Sequence, residues 1–165
     1  MRPVNTISYL LQHVSMVSYR QSDQVLQERF GIGMSQFKIL MMAQWFPNMQ
    51  QRSLAEALGQ TEASVSRQVK LLHEKGMLVT HIDPKERRRH ITIPTPRGIK
   101  ITVAAREILE EYHEPMLANF TDKQRRQLAE MLQILHDYAC APGKLGGCAR
   151  PLDLADIYNN QKERA

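Results

Sequence analysis

The chain has 165 residues and a mass of 19.0 kDa, enough for one domain with an added arm, and its 42% hydrophobic and 24% charged residues exclude collagen-like, disordered and disulfide-dense classes. No apolar run is long enough for a transmembrane helix, the N-terminus shows no secretory leader, and two cysteines near the C-terminus cannot staple a fold, so a cytoplasmic protein with no membrane role is expected. The net charge of +5 is matched by residues 61–100 alone, with nine cations against four anions, a concentration that points toward a polyanionic partner.

In chain order, residues 5–29 read as a helix, with Ile7, Leu10, Leu11, Val14 and Val17 at three- and four-residue steps, continued less regularly by Val25 and Leu26. Phe30-Gly31-Ile32-Gly33 ends it. Ser35 is expected to cap a second helix whose apolar side is Phe37, Leu40, Met41 and Trp45, stopped at Pro47-Asn48. Ser53-Leu54-Ala55-Glu56 reads as a capping box opening a short third helix that Gly59 closes. Thr61 opens a fourth, running to Gly76, with Val65, Val69 and Leu72 on its buried side. Met77–Ile82 and Arg89–Ile93 are β-branched, alternating runs around the cationic turn Asp83-Pro84-Lys85-Glu86-Arg87-Arg88, and Pro94 marks a strand end or an edge. Thr95-Pro96 starts a long helix through Ile101, Ala105, Ile108 and Tyr112, bent or ended by Pro115. Thr121-Asp122-Lys123-Gln124 is another capping box, opening a last long helix with Leu128, Met131, Leu132, Leu135 and Tyr138 on one side. From Ala141 the pattern is loop-like, with a short apolar spacing at Leu152, Leu154, Ala155, Ile157 and Tyr158.

The segment QRSLAEALG followed by TEASVSRQVKLLHEKG has the form of a helix-turn-helix. Its first helix braces the second through Leu54, Leu58, Val65 and Val69. The second then offers Thr61, Ser64, Arg67, Gln68 and Lys70 on its other side, with Ala63 and Ser64 small enough for close approach to a major groove. An ordinary helical hairpin with a solvated face would look similar. The cationic β-turn that follows tips the reading toward a wing, whose Lys85, Arg87 and Arg88 can reach DNA.

These segments, SLAEALGQTEASVSRQVKLLHEKGMLV and DPKERRRHITIPTPRG, resemble the multiple-antibiotic-resistance regulator (MarR) family of winged helix-turn-helix transcription factors over roughly residues 5 to 140. Asp83, Pro84, Arg87, Arg88, Thr95 and Gly98 match the family's wing pattern. Glu86 replaces the usual Asp, and Pro94 stands where Leu is general. The resemblance implies an obligate homodimer on a pseudo-palindromic double-stranded DNA operator, with half-sites about one helical turn, roughly 34 Å, apart. It further implies a repressor released by a small aromatic or phenolic ligand. The apolar stripes of both terminal regions agree with a dimer independently, because a small winged core could not cover them. The expected fold is therefore mainly α with a small β-hairpin wing (α+β). Residues 1–140 would form the winged helix-turn-helix domain with its N- and C-terminal dimerisation helices, around a DNA-binding core at about 34–98. Residues 141–165 would form a C-terminal tail, part loop and part short helix.

By the same resemblance an effector cleft lies between the first, second and long fifth helices, where Tyr9, His13, Arg20, Met41 and Trp45 are candidates. Plain core and dimer packing is the competing account of that aromatic and Met set. Cys140 and Cys148 can close a disulfide across a glycine-rich stretch, but the spacing is not that of a redox motif, and a thiol-oxidation-responsive repressor is only an alternative. Glu110 and His113 lie one helical turn apart, and His81 and His90 are placed to oppose each other across the wing strands. Surface pairing explains both sets better than a metal does. No catalytic spacing, cofactor motif or metal cluster is found, so no enzyme activity is expected. The other class of function is a protein-interaction module on a winged-helix scaffold, against which the basic wing and polar helix face argue.

Overall fold

Among the residues that the computed structural model describes, 3–82 and 90–141, eight elements follow in the expected order. They are α1 (Pro3–Phe30), α2 (Met34–Trp45), α3 (Gln51–Leu58), α4 (Glu62–Glu74), β1 (Leu78–Ile82), β2 (His90–Pro94), α5 (Pro96–Leu117) and α6 (Asp122–Ala139). The wing tip with Lys85, Arg87 and Arg88, and the tail with Cys148, Leu154, Ile157 and Tyr158, lie outside the described residues.

One core joins the second half of α1 to the rest. Leu26, Ile32, Ile39, Leu40, Leu54, Val65, Leu72 and Leu78 are buried together, with Ala105 and Leu109 of α5 closing it. The buried side of α2 is broader than a single stripe: Ile39, Met42 and Ala43 are buried beside Phe37 and Leu40, whereas Met41 and Trp45 are only half-buried. This corrects the expected apolar side and has a simple cause. The helix is central, with α1, α3, α4, β2 and α5 all packed on it, and a helix enclosed on most sides loses its amphipathic signature.

Two caps also differ from expectation. Gly33, not Ser35, is the N-cap of α2, and Ser35 lies in its first turn. The capping acceptor comes from another helix: Asp23 Oδ1 on α1 accepts from the Met34 amide at 2.6 Å, while Gln36 Oε1 accepts from the Gly33 amide at 3.3 Å. The Ser53–Glu56 box does not form, because α3 starts at Gln51. Gln50, held extended, bridges to Ile91 of β2, so the helix begins ahead of Ser53, and Glu56 pairs with Arg52 at 3.1 Å instead. With only eight residues, α3 owes its stability to burial of Leu54 and Ala55 rather than to propensity.

The strands β1 and β2 form a two-stranded antiparallel ribbon in which Leu78 faces Pro94, Thr80 faces Thr92 and His81 faces Ile91. His90 therefore pairs with Ile82, not with His81, and the two histidines are offset by one register step. Pro94 ends the ribbon, where its missing N–H costs no ladder bond. Thr95 then caps α5, accepting from the Gly98 amide at 3.1 Å and donating to the Gly76 carbonyl at 2.7 Å. Thr121 and Gln124 form the capping box of α6 as expected.

Thr92 is fully buried on β2, and its hydroxyl has no hydrogen-bond partner among the described residues. A buried polar group left unpaired costs about 1–3 kcal/mol. Thr92→Val keeps the shape and removes the orphan, so the thermal midpoint is expected to rise by about 2–4 °C for each kcal/mol recovered. A fall would mean that solvent satisfies the hydroxyl in solution.

Candidate nucleic-acid interface

The tight turn between α3 and α4 depends on Gly59, whose φ of 62° is left-handed and unstrained only for glycine. Its amide bonds to the Glu56 carbonyl, and the Gln60 amide returns to Ala55 at 2.9 Å. Thr61 then caps α4 by accepting from the Ser64 amide at 3.2 Å. Arg52 reaches both Glu56 and Glu62, at 3.1 and 3.7 Å, across the turn; all three side chains are largely exposed, so these pairs add little stability. The angle between the two helices is set by Leu54, Val65, Val69 and Leu72 in the core.

With that side buried, Thr61, Ala63, Ser66, Arg67 and Lys70 are exposed. Ser64 and Gln68 are half-buried. Gln68 borders a polar cavity of about 310 Å³ shared with Asp23, Ser35, Gln36 and Lys75, so it stands on the flank of the open face rather than at its centre. The helix thus presents a hydroxyl, a guanidinium and an ammonium beside small residues, a surface suited to hydrogen-bonding base edges and to pairing with phosphates.

Of the effector candidates, Tyr9 and His13 stack on the exposed first half of α1, with ring centroids 5.6 Å apart. Arg20 is exposed, and Met41 and Trp45 are half-buried on α2; the polar cavity contains none of the five. Nearby, Lys38 Nζ lies 5.0 Å from the centre of the Tyr19 ring. Partial burial, and after it the Asp23 carboxylate, pushes the Tyr19 phenol above its ordinary range. His113 of α5 pairs with the buried Ser22 of α1, Oγ to Nε2 at 3.2 Å, and among the described residues no cluster of three metal-ligating side chains forms. Cys140 is buried at the end of α6. Among the described residues no helix is long and apolar enough to cross a membrane.

Lys75, Gln60 and Asp23 are the polar residues that sequence reasoning missed. Lys75 Nζ donates to the Gly31 carbonyl and, at 3.4 Å, to Gln36 Oε1, while Gln60 and Ser35 are hydrogen-bonded at 3.0 Å. Each joins positions far apart in the chain, and no local pattern marks them.

The sequence profile of the MarR family matches residues 30–89, the span from the end of α1 through the turn of the wing. Among curated proteins, the candidate transcriptional regulator for the hcr operon of Thauera aromatica is 23% identical over 130 residues, covering 79% of this chain and 78% of that protein. Among solved structures, a MarR-family transcriptional regulator from Rhodococcus sp. RHA1 superposes with a TM-score of 0.71 at 20% identity, covering 82% of this chain and 95% of its own. The Staphylococcus aureus regulator MepR, solved in complex with DNA, gives 0.68 at 24% identity, covering 79% and 96%. CouR from Rhodococcus jostii RHA1, solved bound to p-coumaroyl-CoA, gives 0.66 at 22%, covering 78% and 90%. Element order, a two-helix unit packed on a hairpin, and these likenesses agree: residues 30–89 match the MarR family, and the chain has the winged helix-turn-helix fold of that family's solved members.

Proposed function

We propose that the protein is a homodimeric, cytoplasmic repressor that binds a pseudo-palindromic operator and leaves it when a small aromatic or phenolic ligand binds. The observation that carries the reading is the open polar face of α4, where Arg67 and Lys70 are exposed opposite the buried Val65, Val69 and Leu72, with Thr61 exposed at the N-cap. In this reading Thr61, Ser64, Arg67, Gln68 and Lys70 enter a major groove, and Lys85, Arg87 and Arg88 of the wing contact the flanking backbone or minor groove. That MepR has been solved on DNA supports the first part. That CouR has been solved with an aromatic thioester supports the second. The ligand would sit between α1, α2 and α5, near His13, Arg20, Met41 and Trp45, and would favour a dimer whose two α4 helices no longer match successive grooves.

The test is an anisotropy titration on fragments of the protein's own locus at several salt concentrations. Arg67→Ala is expected to cost about 1–3 kcal/mol on the preferred site and to relax sequence preference. Lys70→Ala should weaken all duplexes alike and flatten the log–log salt slope by about 0.9. Aromatic carboxylates and phenols added to the same titration should include one that releases the DNA. Native protein that shows no salt-sensitive duplex binding would refute the proposal.

A further inference from the structure

The recognition helix is fastened to a single short piece of chain at both of its ends. Just before α4, Gln60 is hydrogen-bonded to Ser35 at 3.0 Å. Just after it, Lys75 donates to the Gly31 carbonyl and to Gln36. Gly31, Ser35 and Gln36 all belong to the junction between α1 and α2, and that junction is itself pinned to α1 by Asp23, which accepts from the Met34 amide. Between the two fastenings lies the polar cavity bordered by Gln68. The core contacts of Val65, Val69 and Leu72 set the angle of α4 along its middle, and the two polar tethers fix its ends on the side where Gln68 meets polar residues instead of apolar ones. Because α1 also bears the exposed apolar stripe of Ile7, Leu10 and Val14, the tethers join the reading helix to that arm as well.

We propose that Lys75 and the Ser35–Gln60 pair are positioning residues for DNA reading, holding α4 at both ends against the α1–α2 junction without touching DNA. The proposal rests on the reading of α4 as the DNA-contacting helix. It differs from the simpler account of Lys75, a phosphate contact, in a way salt can distinguish. A phosphate contact releases counterions, whereas an internal tether does not. It also makes Ser35 and Gln60 interdependent: once one partner of their bond is truncated, truncating the other should change little more.

The experiment measures operator and random-duplex affinity across salt for the native dimer and for Lys75→Met, Lys75→Arg, Ser35→Ala, Gln60→Ala and the Ser35→Ala/Gln60→Ala double variant, each checked by circular dichroism and thermal melting. Lys75→Met is expected to lose operator affinity about tenfold, with an unchanged salt slope and little change on random duplex. Lys75→Arg should restore most of the loss, since a guanidinium can still reach a carbonyl and an amide oxygen. Ser35→Ala and Gln60→Ala should each weaken operator binding, and the double variant should match the weaker single. The last three variants carry no change in charge, so they test the tether even if Lys75→Met folds poorly. A salt slope that falls by about 0.9 in Lys75→Met, with equal loss on all duplexes, would make Lys75 a phosphate contact and overturn the proposal. Operator affinity unaffected in the folded variants would overturn it too. Native protein that binds no duplex would instead refute the functional reading, and this proposal with it.

Discussion

Gly98→Ala is expected to lower the thermal midpoint by roughly 10 °C or more, corresponding to a loss of about 3–5 kcal/mol. In an exposed helix the same change would gain about 1 kcal/mol, because alanine is the better helix former. Here the sign reverses. Gly98 is buried in the first turn of α5, and an added Cβ would lie far inside van der Waals distance of the Met77 carbonyl oxygen and 3.3 Å from Leu40 Cδ2. The obstacle is backbone that cannot swing aside, since Met77 O also accepts from the Thr95 amide at 3.0 Å and Met77 follows directly on the C-terminal turn of α4. Any relaxation must therefore move the base of the wing relative to α4. Differential scanning calorimetry of the variant checks this; an unchanged or raised midpoint would show that the corner yields at little cost.

If the proposed homodimer is right, Leu132→Asp is expected to convert a dimer of about twice 19.0 kDa into a monomer and to abolish the proposed operator binding along with it. α6 has 18 residues and none of them is buried, although Leu132 and Leu135 are half-exposed and Ile134 and Tyr138 are each 69% exposed. Near its start Arg125 pairs with Glu114 at 2.9 Å, a partly exposed ion pair of the kind that adds little stability. The first half of α1 shows the same pattern at Ile7, Leu10, Leu11 and Val14. In the proposed homodimer, these exposed apolar faces would be covered by the second copy. In a two-fold interface the substitution enters twice and buries two unpaired carboxylates, each costing several kcal/mol. Light scattering and a gel shift on the same sample read both consequences. A folded Leu132→Asp dimer with native operator affinity would place α6 outside the interface.

Order and type of elements were legible because each is bounded by strong local chemistry: Gly31, Gly59 and Gly76 after helices, Thr61, Thr95 and Thr121 before them, and alternating β-branched runs around a polar turn. The buried side of α4 was legible for the same reason, since its spacing of four and three is undisturbed. What failed was chemistry that is local in pattern but decided at a distance. Ser35 and Ser53 have the composition of caps, yet Asp23 captures the start of α2 from eleven residues away, and the bridge from Gln50 to Ile91 moves the start of α3. The helix α2 misled by being buried on most sides. At the candidate site, exposed Arg67 and Lys70 stand as the spacing suggested, whereas Gln68 borders a cavity whose other walls come from α1, the α1–α2 junction, the start of α2 and Lys75. Lys75 counted in sequence only as one cation in a basic stretch, and its partners Gly31 and Gln36 could be known only from the fold.

The most direct test of DNA reading by paired α4 helices is a hydroxyl-radical footprint of the native protein on fragments of its own locus, taken at low and at moderate salt. Two protected patches per site are expected, centred about one helical turn, roughly 34 Å, apart and related by pseudo-two-fold sequence, with protection fading steeply as salt rises. A single unpaired patch, or uniform protection along every fragment, would contradict the account.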